Sequence, residues 1–339
     1  MTRLKGTAAP LASAYDQALL DLDGVVYLLH NAIPESAPTI TALPGFGCEP
    51  VFVTNNASRS TEVVAESMRG MGIPAEASQV ITTGQVLAAE LVSRLGKGGK
   101  VFVHGSPALR AVVAEAGLEP VEDPKAAAGV AFGLFPEATW RLLADATIAV
   151  RNGAYWAVAN LDATLPTSDG PLPGMGAMVQ AVATALGHGP HFTAGKPEQA
   201  IYQAALARKP GGRAIMVGDR PDSDIEGANR AGLDSLLVFT GVASPRMALT
   251  LPPEQRPTYL GWSLGALTET HAEPQWVEDG EAVQCGGWSV KLEQGSLLLG
   301  GSGDPLDAWR AMCEFSWHHN GMPFPLVGSG DAAQKVLAD

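Results

Sequence analysis

The stretch Gln17-Ala18-Leu19-Leu20-Asp21-Leu22-Asp23-Gly24-Val25-Val26 decides how the rest of the chain is read. Residues 17–22 have the short apolar run of a strand buried on both faces, and the run ends in carboxylates. Open α/β sheets place their ligand sites beyond the C-terminal ends of parallel strands. Two acids at i and i+2 from such an end, followed by a glycine, can divide labour. One attacks while the other reaches the leaving group. Taken alone, the pattern fits a pair of turn acids equally well.

Outward from this strand, apolar runs alternate with amphipathic stretches, which predicts β-α units around a parallel sheet. Pro50-Val51-Phe52-Val53-Thr54 reads as a second strand, and residues 60–71 as a helix that starts at Ser60-Thr61 and stops at Gly72. A separate βα series follows, with helices over 84–95, 107–116 and 139–151 and strands over 100–104, 129–134 and 154–159. It ends in a turn-rich stretch, 160–176, and a helix over 176–186. The first pattern then resumes with strands 191–194, 213–217 and 235–240 and helices 197–208 and 223–231. Residues 276–299 alternate as hairpins with turns at 278–280 and 293–295. Asp304-Pro305 supplies the N-cap and first position of a further helix. The expected division is a core begun over 1–82, an inserted α/β domain over 83–187, the core completed over 188–271, and a small α+β segment over 272–339.

The length, 339 residues, calls for two or three domains. With 46% hydrophobic and 17% charged residues the composition is that of a folded globular chain. A formal net charge of −13 argues against nucleic acid and anionic membranes as partners. It leaves phosphate substrates open, because a cation can reverse the field inside one cleft. Residues 1–14 lack the apolar core of a signal peptide, and no run approaches the roughly 18–20 apolar residues of a membrane helix. Cys48, Cys285 and Cys313 are odd in number and widely spaced, which predicts buried thiols in the cytoplasm. His318-His319 is the only histidine pair, and neighbours on a helix do not face one metal.

Three further segments fall at expected strand ends. Val53-Thr54-Asn55-Asn56 offers a hydroxyl and amides that can donate to phosphoryl oxygens. Gly195-Lys196-Pro197 sets a lysine at a strand-to-helix junction, where anions are favoured; by itself it would be a solvated surface lysine. Gly218-Asp219-Arg220-Pro221-Asp222-Ser223-Asp224-Ile225-Glu226-Gly227 adds oxygen donors suited to Mg²⁺. The glycine clusters carry less. Residues 96–100 lack the order of a phosphate-binding P-loop, residues 174–176 lack the third glycine of a dinucleotide motif, and residues 300–303 read as a loop before a helix.

Taken together, D-L-D-G-V, T-N-N, G-K-P and G-D-R-P-D-S-D-I-E-G resemble the haloacid dehalogenase (HAD) superfamily of phosphatases, subclass IIA, over about residues 15–270. The branch is that of NagD-like and p-nitrophenyl-phosphatase-like enzymes. The resemblance implies a Rossmann-like HAD core with a parallel sheet, an inserted α/β cap of the C2 type, and here a small α+β appendage. It implies Asp21 as nucleophile and Mg²⁺ ligand, and Asp23 as general acid and base whose carbonyl touches the metal. Thr54 and Asn55 would bind the phosphoryl group, with Lys196 as electrostatic clamp. Asp219 would be a direct metal ligand, and Asp224 would orient Asp219, a metal-bound water or Lys196. Mg²⁺ is the implied cofactor.

In this family the cap chooses the leaving group, and residues 160–167 resemble its specificity loop, with Asn160, Asp162 and Thr164 as candidates. Small polar residues there favour a polyol or hydroxy-acid phosphate. The order of parts and the C-terminal segment are most similar to actinobacterial glycerol-3-phosphate phosphatases, in which that segment is likened to part of an N-acetyltransferase fold. No acyl-CoA motif stands out here, so a packing or dimer-forming appendage is expected, with a homodimer left open. The expected activity is Mg²⁺-dependent hydrolysis of a small phosphorylated metabolite through an aspartyl-phosphate, glycerol 3-phosphate first. The rivals are 2-phosphoglycolate or sugar-phosphate hydrolysis, phosphotransfer through the same intermediate, and a non-catalytic binding module.

Overall fold

The computed structural model describes residues 4–167 and 169–338. Residues 1–3 and 339, at the outer ends of the expected segments, and Ser168 in the inserted one lie outside the described residues. The chain divides into two units, Met1–Pro50 with Gly211–Asp339, and Val51–Pro210.

In the first unit, strands Gln17–Leu20, Ala214–Gly218, Asp234–Val238 and Tyr259–Gly261 run parallel. Leu19, Leu20, Ile215, Val217, Leu236 and Leu237 are fully buried, as a sheet covered on both faces requires. The register pairs Leu20 with Val217 and Gly218 with Leu237, so the strands finish at one edge. Asp21 and Asp219 are the next residues on neighbouring strands. The first strand stops two residues short of the expected 22, because Leu22 turns to accept bonds from Val26 and Tyr27 N–H.

The C-terminal segment belongs to the same unit. Strands Gln275–Val277, Ala282–Cys285, Trp288–Glu293 and Ser296–Gly301 form an antiparallel meander, and Leu326–Ser329 adds in parallel. Helix Pro305–His318 starts where Asp304 caps Leu306 N–H at 2.9 Å. Every residue from Leu306 to Trp317 is buried, so the helix has no solvent face. One core joins Trp288, Trp309 and Trp317 to Leu237, Leu260 and Ala248 of the parallel-sheet half. Packing, the first alternative for this segment, is thus realised.

The buried polar residues of this helix are held as a group. Arg310 pairs with Asp307 at 2.6 Å and donates to Leu260 O at 3.0 Å and to His271 Nδ1 at 3.1 Å. His271 Nε2 donates to Ala266 O at 2.8 Å. That pattern requires the neutral ring, since a protonated Nδ1 could not accept from a guanidinium.

The second unit holds the parallel pair Glu49–Thr54 and Val80–Thr82, the former strand running into it from Pro50. It also holds a five-stranded parallel sheet in the order Phe192–Thr193, Tyr155–Val158, Gly129–Phe132, Lys100–His104, Glu119–Val121. Helices Trp140–Arg151 and Met175–Leu186 cover this sheet through Ala146, Ala149, Val179 and Val182, packed on Phe102, Phe132 and Trp156. The fold is α/β, with a Rossmann-like core, an inserted α/β domain and a small α+β segment.

Two local expectations are corrected. The stretch read as turns over 160–176 contains a hairpin, Thr164–Thr167 with Gly170–Pro173, whose prolines masked the strand alternation. The helix read over 223–231 begins as a π turn, Pro221–Ile225, before Glu226–Arg230. No helix among the described residues is long and apolar enough to cross a membrane.

Burial, reinforced by the facing Arg310 charge, holds His271 down at about 4, and burial alone does the same for His104. A base depressed on folding contributes stability above its unfolded pKa, about 6.5, and loses it as pH falls toward the folded value. Unfolding free energy should therefore fall between pH 6.5 and pH 4. The expected slope is up to about 1.4 kcal/mol per pH unit for each ring. Denaturant titrations of wild type and His271→Gln at pH 7 and pH 5.5 check this: the variant should be less stable at pH 7 and show the shallower pH dependence.

Candidate active site

The strand register brings three acids together. Asp21 N–H donates to Val217 O at 3.0 Å, extending the ladder one residue past the strand and fixing the acid at the sheet edge. Asp219 follows Gly218 directly, and the tight turn after it returns Asp224, whose Oδ2 accepts from Arg220 N–H at 3.0 Å. Carboxylate oxygens of Asp21, Asp219 and Asp224 lie within 4.8 Å of one another. The three residues are 9%, 2% and 0% exposed.

Three charges so placed repel by roughly 3–4 kcal/mol per pair at an effective dielectric near 20. Burial adds to the cost. A hard divalent cation removes both, and a set of carboxylate oxygens is the donor set that Mg²⁺ takes. The residues present therefore fit the metal that the sequence implies. Asp23 stands apart: it is exposed, bridges to Tyr27, and is not one of the three clustered acids.

Sequence reasoning gave no role to residues 240–243, and these hold Asp219 in place. Val242 N–H donates to Asp219 Oδ2 at 2.7 Å, and Ala243 N–H to Asp219 O at 3.0 Å. Thr240 Oγ1 donates to Gly24 O. A Cβ on Gly241 would lie 2.0 Å from Asp219 Oδ2, and one on Gly24, which has φ +86°, 2.4 Å from it. Both positions need glycine so that main chain can pack against the carboxylate. The available signal was position: Gly241 follows a strand that ends at the same sheet edge.

The second unit gathers the remaining candidates. Thr54 ends its strand 7% exposed, with Oγ1 accepting from Asn56 N–H at 3.1 Å. Lys196 is 3% exposed and its Nζ donates to Val53 O at 3.2 Å. Asn55, Asn160 and Asp162 are hydrogen-bonded to one another, whereas Thr164 is exposed in the hairpin and takes no part in those bonds. Gly174 and Gly176 admit the loop closely, and Gly176 N–H donates to Asp162 O at 2.8 Å.

Gly241→Ala should push Asp219 out of the cluster while leaving the sheet intact. Apparent affinity for Mg²⁺, read from the metal's shift of the thermal unfolding midpoint, should fall about 10–100-fold, as for other lost supports of a metal ligand. An unchanged Mg²⁺ response would show that Asp219 does not depend on this contact.

Comparison with known proteins agrees with these motifs. The haloacid dehalogenase-like hydrolase family matches residues 18–119, a second HAD hydrolase-like family matches 193–267, and a GCN5-related N-acetyltransferase-like domain matches 285–339. The chain is 40% identical to the D-glycerol 3-phosphate phosphatase of Mycobacterium tuberculosis, over 87% of this chain and 81% of that protein. It is 35% identical to an acid sugar phosphatase of Staphylococcus haemolyticus, over 72% of this chain and 92% of that one. A crystal structure of the M. tuberculosis glycerol phosphate phosphatase in complex with magnesium superposes with a TM-score of 0.87 at 36% identity, covering 98% of both chains. A 4-nitrophenylphosphatase from Thermotoga maritima follows with a TM-score of 0.71 at 28% identity, covering 76% of this chain and 98% of that one. The chain belongs to the haloacid dehalogenase-like hydrolases, in the branch of the NagD-like and p-nitrophenyl-phosphatase-like enzymes.

Proposed function

We propose that this hydrolase is a Mg²⁺-dependent phosphomonoesterase with Asp21 as nucleophile, and that glycerol 3-phosphate is its preferred substrate. The observation that carries the chemistry is the buried cluster of Asp21, Asp219 and Asp224 at adjacent parallel strand ends. Asp21, Asp219 and the Asp23 carbonyl would hold Mg²⁺, with Asp224 supporting Asp219. Bound there, the ion would neutralise the phosphoryl oxygens that an anionic nucleophile must approach.

A carboxylate oxygen of Asp21 attacks phosphorus, and the bond to the ester oxygen breaks. The Asp23 carboxyl gives its proton to the departing alkoxide, and its exposed position suits a group that meets the leaving alcohol. The Asp23 carboxylate then takes a proton from water. That water attacks the aspartyl-phosphate, releasing inorganic phosphate and restoring Asp21. Lys196 offsets phosphoryl charge, and the Thr54 hydroxyl donates to a phosphoryl oxygen. The motif order along the chain supports assigning both groups of residues to this one reaction.

The substrate choice rests on two supports. The relative of 40% identity is named for D-glycerol 3-phosphate. The 160–164 stretch presents small polar groups, with no arginine cluster or aromatic platform for a nucleotide. The esters expected next are 2-phosphoglycolate and sugar phosphates. A net charge of −13 fits a small metabolite better than a nucleic acid, and three free, buried cysteines fit the reducing cytoplasm.

Asp21→Asn should lower turnover of p-nitrophenyl phosphate and glycerol 3-phosphate at least a thousandfold with the circular dichroism spectrum unchanged. Acid-quenched wild-type enzyme should carry its phosphate on Asp21 by mass spectrometry. Turnover within tenfold of wild type would sink the nucleophile assignment. Phosphate recovered on an added alcohol, and not free, would make the enzyme a phosphotransferase. Nucleotides ranking above glycerol 3-phosphate in kcat/KM would overturn the substrate.

A further inference from the structure

Asn55 is expected, from the family resemblance, to contact the phosphoryl group. Its hydrogen bonds point elsewhere. Oδ1 accepts from Lys196 N–H at 2.8 Å, which fixes the oxygen end of the amide because a main-chain N–H can only donate. Nδ2 then donates to Lys196 O at 3.1 Å and to the Asp162 carboxylate, whose oxygens are 3.2 and 3.3 Å away. A primary amide has two N–H donors, and these contacts take both.

The main chain of Asn55 is tied to the same group. Its carbonyl accepts from Asn160 Nδ2 at 2.7 Å and from Thr83 Oγ1 at 2.9 Å. Asn160 Oδ1 in turn accepts from Asp162 N–H at 3.1 Å. Gly195 leaves the space this needs, since a Cβ there would sit 2.6 Å from Asn55 Oδ1. The whole arrangement lies within the second unit.

We propose that Asn55 is a positioning residue that ties the 160–162 turn, through Asp162, to the main chain of Lys196, and that its side chain does not bind the phosphoryl group. Only an amide meets all three demands at once: it accepts from one main-chain N–H, donates to one carbonyl and donates to one carboxylate. Aspartate would face Asp162 and the Lys196 carbonyl with oxygen, and serine has one donor and a shorter reach. The bond to Asp162 is charge-assisted, the stronger class. The turn that the family uses to select the leaving group and the lysine that meets the phosphoryl charge are thereby held by one side chain. This inference rests on the phosphatase reading above.

A double-mutant cycle tests it. Values of kcat and KM are measured for glycerol 3-phosphate and p-nitrophenyl phosphate on wild type, Asn55→Ala, Asp162→Ala and the double variant at saturating Mg²⁺. Each single change should lower kcat/KM on the order of tenfold or more, and the double variant should lose no more than Asn55→Ala. Asp162→Asn, which can still accept from Nδ2, should recover most of the loss. Amide hydrogen exchange over 160–163 should quicken in Asn55→Ala while the core strands keep their protection. Losses that multiply in the double variant, an Asp162→Asn as impaired as Asp162→Ala, or unchanged exchange at 160–163 would each overturn the proposal. If Asn55→Ala does not fold, Asp162→Ala set against Asp162→Asn carries the same contrast. The exchange readout needs no substrate, so an enzyme inert toward every ester would remove the phosphatase reading without deciding the tie.

Discussion

Repulsion among Asp21, Asp219 and Asp224 is the constraint around which the first unit is built. Carboxylates within 4.8 Å, none more than 9% exposed, would ordinarily separate, take up protons or turn to solvent. The strand register prevents separation, because Asp21 and Asp219 continue strands locked together from Gln17–Ala214 to Leu20–Val217. The 240–243 loop prevents rotation of Asp219 by donating two main-chain bonds to it. Gly24 and Gly241 let that main chain come close enough. The result is a set of carboxylate oxygens fixed in place, a donor set that fits a divalent cation.

The same logic explains the C-terminal segment. Helix Pro305–His318 fills the space between its own sheet and strands Asp234–Val238 and Tyr259–Gly261 with aromatic and aliphatic side chains. The first of those strands, Asp234–Val238, leads into the loop that carries Gly241 and Val242. The C-terminal segment thus packs against the strands beside the acidic cluster. Arg310 serves here as a packing and hydrogen-bonding residue, its charge met by Asp307 and two more of its donors by Leu260 O and His271. A buried charge paired in this way contributes little net stability, yet losing one partner leaves the other stranded.

In the second unit the corresponding role falls to hydrogen bonds between short polar side chains. Asn55, Asn160, Asp162 and Lys196 come from three separate stretches of sequence and meet at the ends of parallel strands. Each contact is individually modest, but a network whose members saturate one another holds a single geometry better than any one bond. That is how a turn of small residues can hold one definite conformation.

The sequence by itself determined the alternating strands and helices, the interruption of one α/β pattern by another, and the acids at strand ends. Each of these is written in local periodicity or in a motif a few residues long, so Asp21, Asp219, Asp224 and Lys196 could all be named from it. It could not separate the hairpin at Thr164–Thr167 from turns, because its prolines hide the alternation, nor foresee the π turn at Pro221–Ile225. Tertiary structure alone decided that Gly241 and Val242 hold Asp219, that Asn55 spends both amide protons inside the chain, and that helix Pro305–His318 is buried from Leu306 to Trp317. The reason is one of range. A side chain's hydrogen-bonding capacity is fixed by its residue type, but the partner that uses it is chosen by residues 20 or more than 100 positions away, where no local pattern reaches.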